Sequence, residues 1–277
     1  MHDLHIHMIL DGVYYRTAID AHKNGPDEAL IRARLAEYRR QGTDFLRDGG
    51  DALGVSLRAR ELAWEYDIDY RTPAFPIYKK GHYGSFIGCG FDSFDDYRRL
   101  IDRVAAQKGN FVKLMLSGLI DFSQDHRLTG IGPSAEEIGQ LIDYAHESGF
   151  SVMAHAHGDH AVNAALEAHV DSIEHGAFLS EATLRRLAHS RTLWVPTLST
   201  IGNLIGSGRY PDALLRPLLA EQQEKVRQVV QWGGLVGLGS DAGAFCVEHD
   251  RAMQTETALL GEISTVQEAL SYTKTHF

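Results

Sequence analysis

Eight short apolar runs alternate with amphipathic helical stretches along this chain, and that rhythm restricts the fold more than any other feature. The runs begin near Asp3, Thr43, Tyr70, Phe111, Ser151, Asp171, Leu193 and Leu235. Between them lie helical patterns. Asp27 to Gln41 is opened by Gly25-Pro26, a helix-start signal. Asp95 to Gln107 has apolar residues at helical spacing. Ser134 to Glu147 begins with a Ser-x-x-Glu capping box ending at Glu137. Ser180 is the expected N-cap of a helix running to His189, and a long helix is expected over Asp212 to Trp232. Ala52 to Trp64 reads as helix, because Asp48-Gly49-Gly50 forms a turn after the preceding strand. Eight strand–helix units in order predict an α/β fold, a (β/α)8 TIM-type barrel whose parallel sheet is buried on both faces. A doubly wound open sheet is the alternative. It usually needs fewer units, and no Gly-x-Gly-x-x-Gly opens a helix after the first run. The glycines from Gly233 to Gly243 do not match that spacing either.

Composition narrows the class. The chain has 277 residues, 44% hydrophobic and 23% charged, with no low-complexity stretch that would divide it. A single domain over residues 1–277 is therefore expected, large enough to bury a core without staples. The formal net charge of −10 argues against nucleic acid and against an anionic membrane face as partners. The basic run Arg32 to Arg40 reads as the solvated face of a helix. No apolar stretch is long enough to span a bilayer, and no signal peptide is read ahead of the first strand. Cys89 and Cys246 lie far apart without a CxxC context, so free thiols and a cytoplasmic location are expected.

The fifteen histidines exceed ordinary composition and invite a search for a metal site. Side chains alternate across a strand, so His5 and His7 of His5-Ile-His7 point to one side and form half of such a site. His155 ends the run Phe150-Ser-Val-Met-Ala, His175 ends Asp171-Ser-Ile-Glu, and Asp241 follows Leu235-Val-Gly-Leu-Gly-Ser. Lys113 lies inside Phe111-Val-Lys-Leu-Met-Leu. In a barrel all six face the carboxyl-end mouth, where active sites lie. Each has a plainer alternative: a hydrogen-bonded histidine pair, strand-capping histidines, and an aspartate capping a turn. A lysine in an apolar strand must be paired, neutralised or modified, and a salt bridge to an acidic neighbour would meet that need.

Taken jointly and in order, these motifs resemble the metal-binding set of the amidohydrolase superfamily, nearest its prolidase-like and imidazolonepropionase-like branch. They are His5-Ile-His7, the strand-four Lys113, Ala-His155-Ala-His157-Gly, Ile-Glu-His175-Gly and Gly-Ser-Asp241-Ala-Gly. The resemblance covers nearly the whole chain. It implies a pair of divalent metals, zinc first and manganese or iron otherwise, held by His5, His7, Lys113, His155, His175 and Asp241. It further implies a carbamate on Lys113 bridging the pair. The implied reaction is hydrolysis of a C–N bond in an amide, cyclic amide or dipeptide-like small molecule. A metal-bound hydroxide would attack, and Asp241 would shuttle its proton to the leaving nitrogen. A lactonase or phosphotriesterase would use the same metals, and a non-catalytic barrel kept for binding is the remaining alternative. His82, Tyr83, His157 and Arg209 are the candidate substrate contacts.

Three departures from the family pattern carry expectations. The branch often has Gly-His-Gly where this chain has Gly-His82-Tyr83-Gly. The strand-five motif lacks the glutamate of the deaminases, which disfavours deamination. The usual accessory β-sandwich is not expected, and the barrel surface it would cover implies a homodimer or larger assembly.

Overall fold

A computed structural model describes residues 1–124, 126–261 and 265–277. Nine strands occur in it: β1 His2–Ile6, β2 Phe45–Asp48, β3 Asp69–Arg71, β4 Pro76–Lys79, β5 Cys89–Phe91, β6 Val112–Met115, β7 Val152–Ala156, β8 Ser172–His175 and β9 Leu193–Val195. All pairings are parallel. One ladder runs β1-β2-β3, and a second runs β5-β4-β6-β7-β8-β9.

Two features join the ladders into a barrel. Residues 69–79 form one continuous run that carries both β3 and β4, broken where Pro73 has no N–H to give and Ala74 turns to φ 72°. The first half pairs with β2 and the second with β6. The expected strand from Leu235 forms no regular ladder, and its backbone nevertheless bonds on both sides. Trp194 N donates to Leu235 O at 2.9 Å and Gly237 N to Trp194 O at 2.8 Å. Leu4 N donates to Leu238 O at 3.0 Å, and Asp241 N donates to His5 O at 2.7 Å. The segment 235–242 is thus the eighth stave, between β9 and β1. β5 lies outside the ring, an extra strand against β4 that the sequence pattern did not reveal.

The expected helices form with small shifts. Their bounds are Glu28–Arg40, Phe94–Ala106, Ala135–Glu147, Glu181–Ala188 and Asp212–Gln231. The capping box at Ser134 is present in both directions, with Glu137 N donating to Ser134 Oγ and Ser134 N to Glu137. Such a cap is worth about 1 kcal/mol. The helix expected from Ala52 starts at Val55, because the Asp51 carboxylate takes the N–H groups of Leu53, Val55 and Ser56 and holds the preceding turn open. Helices Tyr15–Asp20 and Gly158–Glu167 add to the set.

The largest apolar cluster fills the space between the outer faces of β4 and β6–β8 and their helices, with Leu114, Ala154, Ile142, Val162 and Ile173 all buried. The inner faces of the strands carry the polar groups. Cys89 and Cys246 are both free thiols. No described helix is long and apolar enough to cross a membrane.

Candidate active site

Strand alternation aims Asp3, His5 and His7 of the first stave into the barrel. His155 and Glu174 are register partners on β7 and β8, and both also face inward, each touching a group at the mouth or centre of the barrel. By the same alternation His175 would turn outward. Its φ of 69° breaks the strand and brings it back to the mouth beside its neighbour Glu174. Asp241 at φ 58° and Thr197 at φ 48° are bent in the same way at the ends of their staves. Left-handed backbone at non-glycine residues costs on the order of 1 kcal/mol or more each. Three such residues side by side in one mouth mark a place shaped for chemistry.

The donor atoms converge. His5 Nε2 and His7 Nε2 lie 3.4 Å apart, and each lies 3.6 Å from Asp241 Oδ1. His175 Nδ1 is 3.9 Å from Asp241 Oδ2, and atoms of His5, His175 and Asp241 all fall within 4.8 Å of one another. The rings of His155 and His175 are centred 4.7 Å apart. Lys113 pairs in register with Met153, two residues deeper than His155. At about 3.3 Å per residue, a side chain as long as lysine is needed to reach the mouth from there. The Lys113 charge acts on His5, His7, His155 and His175 alike. The structure therefore brings all six candidate metal-site residues to one floor.

Burial sets the charge of this floor. It pushes the His7 imidazole down to about 3 and holds His5, His155 and His175 well below the usual histidine range, so the rings stay neutral. Burial also lowers Lys113 and raises Asp241, while the attraction between the two opposes both shifts. Three polar atoms here have no hydrogen-bond partner among the described residues: Lys113 Nζ, Asp241 Oδ1 and His7 Nδ1. Buried polar atoms are nearly always satisfied, so three such atoms on one floor suit the binding of an ion or polar ligand.

Backbone and side-chain contacts brace the cluster. His5 Nδ1 lies 2.6 Å from Glu174 Oε2, and Thr197 Oγ1 lies 2.7 Å from His175 Nδ1. Glu256 accepts from Leu198 N and Ser199 N, fixing the turn after Thr197. Asp3 accepts from Ser240 N and Ser240 Oγ, locking the residue before Asp241 to β1. Asp48 accepts from Met8 N at 2.8 Å, just past His7. Gly49 has a simple steric role, since a methyl group there would overlap the His7 ring. Its backbone is not left-handed, so Gly49→Ala should fold normally and displace only that ring. We expect shifted His7 ring resonances with an almost unchanged melting temperature, measured by histidine NMR and calorimetry.

The floor opens into a cavity of about 570 Å³. Its wall is aromatic and apolar: Tyr14, Tyr15, Tyr83, Phe86, Phe122, Tyr210 and Phe245, with Leu10, Val13, Leu119, Ile120 and Leu204. The Tyr83 ring packs on His155 at 5.0 Å. His157 Nδ1 accepts from Ala177 N at 3.2 Å, which leaves Nε2 as the proton-bearing nitrogen. His157 is thus placed as a donor to a guest. Arg209 and Lys113 are the two Lys/Arg side chains of the lining. The Arg209 guanidinium lies 4.3 Å over the Phe245 ring and makes no ion pair among the described residues. His82 is exposed and is not part of the lining, so the structure separates it from its neighbour Tyr83. Sequence reading missed the braces Glu174, Arg47 and Asp48. Their only signal was a charged residue inside a strand-like run.

An α/β barrel with a histidine–carboxylate cluster at its carboxyl-end mouth is the class that fold and site define. Residues 78–272 match the model of the Amidohydrolase family, and the chain belongs to that family. An uncharacterized protein of Mycobacterium tuberculosis strain H37Rv is 33% identical over 154 residues, covering 53% of this chain and 41% of the relative. Ochratoxinase of Aspergillus niger is 25% identical over 222 residues, covering 78% of this chain and 42% of the relative. The chain thus matches less than half the length of these curated relatives. The crystal structure of A. niger ochratoxinase superposes with a TM-score of 0.78 at 19% identity, covering 98% of this chain and 68% of that one. A prolidase complexed with n-methylphosphonate-l-proline superposes with a TM-score of 0.75 at 22% identity, covering 98% of this chain and 71% of that one.

Proposed function

We propose that this chain is a metal-dependent hydrolase that cleaves a C–N bond in an amide, cyclic amide or peptide-like small molecule. One observation carries the reading: His5 Nε2, His7 Nε2 and Asp241 Oδ1 meet within 3.4 to 3.6 Å. His5 Nδ1 already faces the Glu174 carboxylate, so His5 Nε2 presents a lone pair. The His5 lone pair and an ionised Asp241 oxygen, 3.6 Å apart, repel each other, and a cation between them would relieve that repulsion.

The donor set fits two divalent ions. His5, His7 and Asp241 would hold one, His155 and His175 the other, and a carbamate on Lys113 would bridge them. Imidazole-rich sites suit zinc, with manganese or iron as substitutes. When bound, such ions polarise a carbonyl and lower the pKa of water to about 7. The chain's own residues do the rest. Asp241 accepts a proton from the attacking water and delivers it to the leaving nitrogen. His157 Nε2 donates toward the substrate carbonyl. The aromatic wall receives a bulky apolar group, and Arg209 grips a carboxylate at the mouth.

The test is a panel of N-acyl amino acids with aromatic acyl groups, run against lactones and phosphotriesters, with metal content measured on the same preparation. We expect amide hydrolysis that a chelator abolishes and zinc restores. Arg209→Met should raise KM about tenfold for substrates with a free carboxylate and leave the matching carboxamides unchanged. Full activity in chelator-stripped protein, or turnover of lactones or phosphotriesters alone, would overturn the reading.

A further inference from the structure

We propose that Glu174 and Arg47 are positioning residues that fix the tautomer of His5 and thereby set the affinity of the site for metal. The inference rests on the metal-site reading above for its second half only; the tautomer is a property of the chain alone.

Glu174 lies at the barrel centre with its side chain wholly buried. Its Oε2 is 2.6 Å from His5 Nδ1, and its Oε1 accepts from Arg47 Nη2 at 2.8 Å and from Ser172 Oγ at 2.6 Å. Arg47 is wholly buried too. It donates through Nε to Leu4 O at 2.7 Å and through Nη1 to Ser172 Oγ at 3.0 Å, and it lies 4.5 Å over the Phe277 ring. Every polar atom of the guanidinium fork that faces the barrel is engaged, so the arginine is held in one pose.

A carboxylate pinned by a guanidinium offers only acceptors. At 2.6 Å, His5 Nδ1 must therefore be the donor, because a lone pair there would meet the carboxylate oxygen head-on. The proton on Nδ1 forces the lone pair onto Nε2, the atom aimed at His7 and Asp241. The other tautomer would close the site, since its Nε2–H could not face a cation. A carboxylate on the far nitrogen of a metal-binding imidazole also raises the basicity of that ring. Arg47 has a separate task. Its Nη2 holds Glu174 Oε1 at 2.8 Å, which keeps Oε2 turned toward His5 Nδ1, so loss of the arginine frees the carboxylate to rotate away from the ring. Chain geometry links this brace to the candidate donors. Glu174 and His175 are consecutive, and the left-handed turn at His175 lets one strand end supply both an inward brace and a mouth residue.

Histidine-labelled, metal-free protein tests the first half by long-range ¹H–¹⁵N NMR, with His5 assigned from the signals lost in His5→Asn. Wild type should show His5 protonated at Nδ1. Glu174→Gln should shift His5 toward the Nε2-protonated form. Zinc affinity, read by competition with a chromophoric chelator, should fall 10- to 100-fold in Glu174→Gln. Arg47→Met should behave alike, and Arg47→Lys should recover much of the loss. A wild-type His5 protonated at Nε2 overturns the proposal whether or not any variant folds. So does a Glu174→Gln protein that melts earlier but keeps both the tautomer and the zinc affinity of wild type. If the tautomer responds as expected and wild type binds no zinc at all, the metal-site reading fails and the tautomer assignment stands.

Discussion

Lys113→Ala protein should purify with at least one metal fewer than its parent and lose activity by roughly a thousandfold or more. On the proposed reading Lys113 would help to hold ions that lower the barrier by several kcal/mol, and each 1.4 kcal/mol is about tenfold. The expectation starts from the position of the amine. Lys113 is 1% exposed, and its Nζ has no hydrogen-bond partner among the described residues. Burial pulls its pKa down and outweighs three carboxylates that raise it, Glu174, Asp241 and Asp48. A buried amine so depressed is unprotonated for more of the time near neutral pH than a solvated lysine. Its lone pair can add to the carbon of carbon dioxide, form the N–C bond and release one proton. The product is an anion with two oxygens in place of a cation, which removes the repulsion between an ammonium and two divalent ions. Reconstitution of metal-free protein with zinc should therefore run faster with added bicarbonate. Lys113→Ala should show no such acceleration. If bicarbonate has no effect on wild type while Lys113→Ala keeps both metals, the carbamate is not there.

Asp241→Asn should keep the fold and most of the metal while turnover falls by about 10² to 10⁴, the usual worth of general acid–base help. The backbone here is strained, with φ at 58°, yet asparagine tolerates this region better than most residues. The bonds that hold the turn are backbone ones, Asp241 N to His5 O and Ala244 N to Asp241 O. The side chain contributes little to that frame, and its Oδ1 has no hydrogen-bond partner among the described residues. Burial raises the Asp241 carboxyl to about 7, which would suit the proposed role of taking a proton and giving it up again near neutral pH. Asparagine keeps the shape and loses the base. A variant with near-normal kcat and full metal content would show that the proton travels another way.

Much of the barrel was legible because its signals are local. An apolar run that stops at a histidine or an aspartate shows both the strand and the end on which chemistry sits. The third and eighth staves were legible only in outline. Pro73 and Ala74 divide the third into two pairings, and the glycines from Gly233 to Gly239 leave the eighth with few side chains to form a regular ladder. The braces were hidden for another reason. Arg47 and Glu174 are 127 residues apart, and nothing in either run names its partner. Gly49 looked like turn chemistry, whereas it clears space for His7. His82 and Tyr83 are adjacent, yet a local turn sends one to solvent and the other onto His155. Directions of that kind belong to loops, which pattern reading does not resolve.

The weakly laddered eighth stave has a mechanical consequence. Residues 235–242 close the ring through scattered backbone bonds, so a circumferential pull on the barrel would part it first between β9 and β1. The six candidate donors straddle that seam: His5, His7 and Asp241 lie along it, and Lys113, His155 and His175 come from the long continuous ladder. Ions shared between the two sets would act as a clasp across the side least able to hold itself shut. Each tenfold rise of free ion above its dissociation constant would then tighten the ring by about 1.4 kcal/mol.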